Sequence, residues 1–62
     1  MLDYCVYVQR KCDDEPYLIF SSDDYEKAKI FFNECKQEKS LIYVSLLRRR
    51  FETVIELKRS VK

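Results

Sequence analysis

Ser21-Ser22-Asp23-Asp24-Tyr25-Glu26-Lys27-Ala28-Lys29-Ile30-Phe31-Phe32-Asn33-Glu34-Cys35 is the stretch on which the fold of this chain turns. A serine or aspartate at its start can accept hydrogen bonds from the amides that the first turn of a helix leaves without partners. Acids in that turn also meet the positive end of the helix dipole. Apolar residues then recur at helical spacing. At about 100° per residue, Tyr25, Ala28, Phe31, Phe32 and Cys35 fall within an arc of about 120°, the width of one buried stripe. Glu26, Lys27, Lys29, Asn33, Glu34, Lys36 and Gln37 avoid that stripe. Asp23 with Lys27 and Glu26 with Lys29 stand in the acid-before-base order that suits a solvated helix face. The spacing predicts one helix from about Asp23 to Glu38. Ile30 is the exception, about 160° from the centre of the stripe and pointing to solvent in a monomer.

On both sides of this helix the period changes to two. Tyr4 to Lys11 alternates, with Tyr4, Val6 and Val8 on one side and Cys5, Tyr7 and Gln9 on the other, in residue types that strands favour. Cys12-Asp13-Asp14-Glu15-Pro16 supplies turn chemistry, and Tyr17 to Phe20 or Ser21 reads as the returning strand. The result is a hairpin with an acidic tip. After the helix, Ile42, Val44 and Leu46 match Phe51, Thr53, Ile55 and Leu57 across a turn near Arg49-Arg50. A loop of either two or four residues pairs Ile42 with Leu57, Val44 with Ile55 and Leu46 with Thr53, and arginines favour the wider loop. Strand, strand, helix, strand, strand is an α+β two-layer sandwich: a β-β-α-β-β chain forming a four-stranded antiparallel sheet with one helix on one face. A right-handed crossover that skips the first strand gives the order 2-1-3-4. The order 1-2-3-4 comes second, because it needs a central parallel pair. The tail Ser60-Val61-Lys62 is expected to fray.

The chain has 62 residues, enough for a single small domain spanning 1–62. It has no histidine and no glycine. The first zero removes imidazole bases and nitrogen ligands for zinc, and the second removes glycine-rich phosphate loops. A core this small also offers little interior in which to shift the pKa of a carboxylate or lysine. No enzyme, cofactor, metal or small-molecule substrate is expected. Cys5, Cys12 and Cys35 are an odd set without metal-ligand spacing, and they read as reduced thiols. The longest apolar stretch, Tyr4 to Val8, falls far short of the roughly 20 residues needed to span a bilayer. Asp3 stands where a secretory leader would carry lysines. The expected setting is cytoplasmic, with no membrane partner.

Three features compete as sites. Arg48, Arg49 and Arg50 crowd a hairpin tip, where guanidinium groups could clamp phosphates, contact a protein, or only solvate the turn. Charge limits the first reading. Residues 1–39 hold six bases against nine acids and residues 40–62 six against two, for a net charge of +1, well short of a strongly basic nucleic-acid domain. The acids Asp13, Asp14, Glu15, Asp23, Asp24 and Glu26 lack the alternation and the glycine of a calcium loop. For Asp23 and Asp24, helix capping explains the position, while a phosphate-mimicking patch for a basic partner is the functional alternative. Tyr4, Phe20, Phe31, Phe32 and Phe51 fit the layer between helix and sheet. With Tyr4, Val6, Val8, Leu18 and Phe20 turned to the helix, the opposite sheet face receives Tyr7, Tyr17, Ile19, Leu41, Tyr43, Leu47 and Val54. That face lacks a helix to cover it, so something is expected to pack there.

The leading expectation is therefore a non-enzymatic protein-protein interaction module, a small homodimer that binds and inhibits or redirects a partner protein. Its contact residues would be Tyr7, Tyr17, Ile19, Ile30, Tyr43, Leu47, Val54, Arg48, Arg49 and Arg50. In size and charge richness it resembles phage-encoded accessory proteins that block host proteins, though no motif carries that likeness. The alternative is a small nucleic-acid-binding module that uses the basic C-terminal hairpin, adding Lys58 and Arg59.

Overall fold

The computed structural model describes residues 3–49 and 52–59. Its elements are β1 (Tyr4–Arg10), β2 (Tyr17–Ser22), α1 (Tyr25–Lys36), β3 (Leu41–Arg48) and β4 (Glu52–Lys58). They build a small α+β sandwich, one four-stranded sheet in the order β2-β1-β3-β4 with all neighbours antiparallel. This is the predicted order. The crossover through α1 carries the chain over β1, so the two hairpins meet along the β1–β3 seam.

The helix begins as its caps require. Asp24 is extended, at φ −104° and ψ 113°, and its carboxylate accepts the Glu26 amide at 2.9 Å. The Ser22 hydroxyl accepts the Asp24 amide at 3.0 Å one step earlier. α1 is two residues shorter at each end than the expected Asp23 to Glu38 span, because Asp23 and Asp24 lie outside the helix as cap and lead-in. The predicted stripe is the buried one. Ala28 and Phe32 are buried with Val6, Val8, Leu41, Val44 and Leu46, and Tyr4, Phe20, Tyr25, Phe31, Cys35, Ile55 and Leu57 pack around them. Phe20 stacks on Phe31 with ring centroids 4.5 Å apart, and Tyr4 meets Tyr25 at 5.3 Å. Stacked and tilted aromatic contacts of this kind add to what burial contributes. Phe51, also expected in the core, lies outside the described residues, as do Arg50 and the tail Ser60-Val61-Lys62.

Three bulges displace the expected register. Each puts one extra residue into a strand, so residues on its far side exchange faces. In β2 the extra residue is Ile19: Phe20 stands opposite Val6, but Leu18 stands opposite Tyr7 and Tyr17 opposite Val8. Tyr17 therefore belongs to the helix side and Leu18 to the outer face, the reverse of the expectation. In β3 the extra residue is Ile42, since Gln9 faces Tyr43 while Arg10 faces Leu41. Leu41 accordingly joins the core instead of the outer face. In β4 it is Val54. Val44 pairs with Leu57 and Leu46 with Ile55, two residues away from the expected partners, and Thr53 pairs with Leu47 on the outer face. Arg48 faces Glu52 across the turn, so the connection has an odd number of residues, which neither expected loop length allowed. Arg49 there takes φ 53°, a left-handed backbone that a glycine would adopt with less strain.

Candidate interaction surface

The pairings place the outer-face side chains in three rows across the sheet. Ser21, Cys5, Leu47 and Thr53 form the first. Leu18, Tyr7, Ser45 and Glu56 form the second, and Gln9, Tyr43 and Lys58 the third. No described element lies over these rows, because α1 packs its stripe on the other side. Ser45 is nevertheless wholly buried, and its hydroxyl has no hydrogen-bond partner. A small residue at the centre of an open face can be hidden only if larger neighbours close over it, and Tyr7, Tyr43 and Leu47 are the large ones around it. Cys5 is buried in the adjoining row, where its sulfur accepts the Ser21 hydroxyl at 3.9 Å. Apolar surface thus concentrates towards Leu18, Tyr7 and Leu47. Tyr43 donates its hydroxyl to Glu56 at 3.1 Å, and Glu56 lies 3.7 Å from the Lys58 ammonium, which leaves the opposite corner polar.

The other expected contact residues scatter. Ile19 and Val54, each 38% exposed, sit at the two sheet edges as bulge residues. Ile30 is 57% exposed on the helix, away from the outer sheet face. Tyr17 is exposed on the edge strand but on the helix side. Arg48 is exposed. Arg49 donates its amide to the Asp3 carbonyl at 2.6 Å and places its guanidinium 3.7 Å from the Asp3 carboxylate. Arg50 is outside the described residues.

Arg59 has a role that no sequence pattern announced. Its guanidinium donates to the carbonyls of Lys36 and Glu38 and, at 2.9 Å, to that of Leu41, while its amide donates to Ile42 at 2.8 Å. These carbonyls lie at and just beyond the negative end of α1, where backbone acceptors lack intrahelical partners. Helices commonly exit through a left-handed glycine, and this chain has none. Gln37 instead stays right-handed at φ −78°, and the planar fork of Arg59 reaches these carbonyls, of which that of Glu38 also accepts the Leu41 amide at 3.2 Å. The absence of glycine was the available signal for a side-chain cap. Arg59 is thereby turned into the fold, away from any phosphate it was expected to serve.

The acids divide in the same way. Asp13 accepts the Arg10 amide at 3.0 Å and returns its own amide to the Arg10 carbonyl at 3.0 Å, closing the β1–β2 turn. Asp24 caps α1. Burial, reinforced by Glu34 and Glu38, pushes the Cys35 thiol above its ordinary pKa, which favours the thiol over the reactive thiolate. Cys12 is exposed and free. No cluster of metal-ligating side chains occurs among the described residues, and no helix there is long and apolar enough to cross a membrane. No family model, curated protein sequence or solved structure matches the chain.

Proposed function

We propose that the protein is a non-enzymatic interaction module: a small dimer, joined through the outer face of its sheet, that binds another protein and inhibits or redirects it. The observation that carries this reading is the outer face, over which no described element lies, built from exposed Leu18, half-buried Tyr7, Tyr43 and Leu47, and buried Ser45. Its centre is closed by its neighbours, since Ser45 and Cys5 are buried although no described element lies above them. A two-fold contact sets this patch against its own copy, and the neighbouring Glu56 and Lys58 supply both signs of charge for the rim. Self-association also suits a core this small, which alone supplies only about 3 to 5 kcal/mol. Protein is favoured over nucleic acid as the target because Arg59 is turned onto backbone carbonyls and Arg49 pairs with Asp3 at the surface, so two of the basic residues among the described ones have partners within the chain.

Sedimentation from about 1 to about 100 μM tests the dimer, a range that spans the dissociation constants of weak dimers. The wild-type chain passes from monomer to dimer, and Tyr43→Lys, which places a charge on the face without touching the core, stays monomeric with its fold intact. A wild-type chain that is monomeric throughout, or a Tyr43→Lys variant that still dimerises, overturns the self-association.

A further inference from the structure

The two free edges of the sheet differ in what guards them. β4 carries Glu52, Glu56 and Lys58 along its length, and charges on an edge strand deter the addition of another strand. β2 carries no charged residue, and its first three residues, Tyr17, Leu18 and Ile19, are 40%, 47% and 38% exposed. About half of the amides and carbonyls of an edge strand point away from its sheet and are available to a further strand. The bulge at Ile19 twists this edge but puts nothing in front of it.

The ends of the edge say what can lie along it. Asp14 and Glu15 precede β2 and Asp23 and Asp24 follow it, all exposed. Asp24 is engaged as the helix cap, whereas Asp14, Glu15 and Asp23 make no side-chain hydrogen bond or ion pair among the described residues. A second copy of β2 does not suit this edge. Antiparallel self-pairing sets Asp14 and Glu15 of one copy beside Asp23 and Asp24 of the other, and parallel self-pairing sets each acid beside its own counterpart. Like charges face one another either way. The complementary occupant is apolar in the middle and basic at its ends.

We infer that β2 is the edge on which the partner protein docks, by adding an extended segment of about five or six residues to the sheet. The segment is apolar at alternate positions and flanked by Lys or Arg. Main-chain hydrogen bonds to β2 hold it, Tyr17 and Leu18 flank its side chains, and the two acidic ends fix its register. The inference rests on the reading of the chain as a protein-binding module, and the docking edge shares only Leu18 with the dimer face.

The probe is a displayed library of random peptides of about ten residues, selected on the immobilised full chain at about 0.05 M salt, where charge complementarity is least screened. Enriched peptides carry alternating apolar residues with Lys or Arg at their ends. Tyr17→Lys, a charge on the edge away from the outer sheet face, weakens a selected peptide by about tenfold or more, and Glu15→Lys, in the preceding loop, does so without touching a strand. Val54→Lys, on the opposite edge, leaves the affinity within about twofold. Amide spectra establish that each variant is folded. Absence of enrichment, enrichment of acidic or uncharged ends, or binding that survives both Tyr17→Lys and Glu15→Lys overturns the assignment of β2. Self-association is read separately through Tyr43→Lys, which leaves peptide binding unchanged. A monomeric chain that selects such peptides overturns only the dimer, and a dimer that selects none overturns only the edge.

Discussion

Arg59 carries more of the fold than its place after the last strand suggests. Charge-assisted hydrogen bonds to backbone carbonyls at the negative end of a helix are stronger than neutral ones, and Arg59 makes several of them at once. Arg59→Ala should lower unfolding free energy by between about 1 and 3 kcal/mol in urea titrations. Arg59→Lys should recover less than half of the loss, because an ammonium cannot reproduce the fork. Equal stability of all three proteins would show that water satisfies those carbonyls as well as the guanidinium does. The thiols give a second residue-level expectation. A thiol whose protonated form is favoured by burial contributes stability below its free pKa and loses that contribution as pH rises through the folded value. Cys35, raised by burial and by Glu34 and Glu38, should therefore stay slow to alkylate at mildly alkaline pH, while exposed Cys12 reacts first. Peptide mapping after a brief pulse of iodoacetamide reads the order, and labelling of Cys35 ahead of Cys12 would contradict it.

At the scale of elements, the helix was legible because two independent signals agreed on it: the Ser-Ser-Asp-Asp start, and the stripe of Tyr25, Ala28, Phe31, Phe32 and Cys35. Asp24→Ala should cost about 1 kcal/mol, the usual value of an N-cap carboxylate, with thermal unfolding as the readout. No change would mean that Ser22, which bonds the Asp24 amide, holds the helix start alone. Strand order was legible for a similar reason, since one crossover helix and handedness leave few arrangements. Register and face were not. Each bulge falls within consecutive apolar residues: Tyr17-Leu18-Ile19-Phe20, Leu41-Ile42-Tyr43-Val44 and Val54-Ile55. Alternation carries no information where neighbours are equally apolar, so a one-residue insertion leaves no mark on the pattern. The exchange of Tyr17 with Leu18 and the burial of Leu41 follow from that ambiguity. Tyr7, Tyr43 and Leu47 keep the outer face that alternation assigns them, because β1 carries no extra residue and the one in β3, Ile42, precedes both Tyr43 and Leu47.

Among the described residues, one sheet face is closed by α1 and nothing lies over the other, a division that follows from having a single helix and four strands. The open face is apolar where β1 and β3 adjoin and polar where Tyr43, Glu56 and Lys58 meet. Its burial against a second copy is the central claim, and a dilution series followed by amide NMR tests it residue by residue. Between about 500 and about 10 μM, a range that spans dissociation of a weak dimer, the resonances that move should be those of Cys5, Tyr7, Tyr43, Ser45 and Leu47, with those of α1 unchanged. Movement confined to Ile30 and its helical neighbours, or no movement over the whole range, would contradict it.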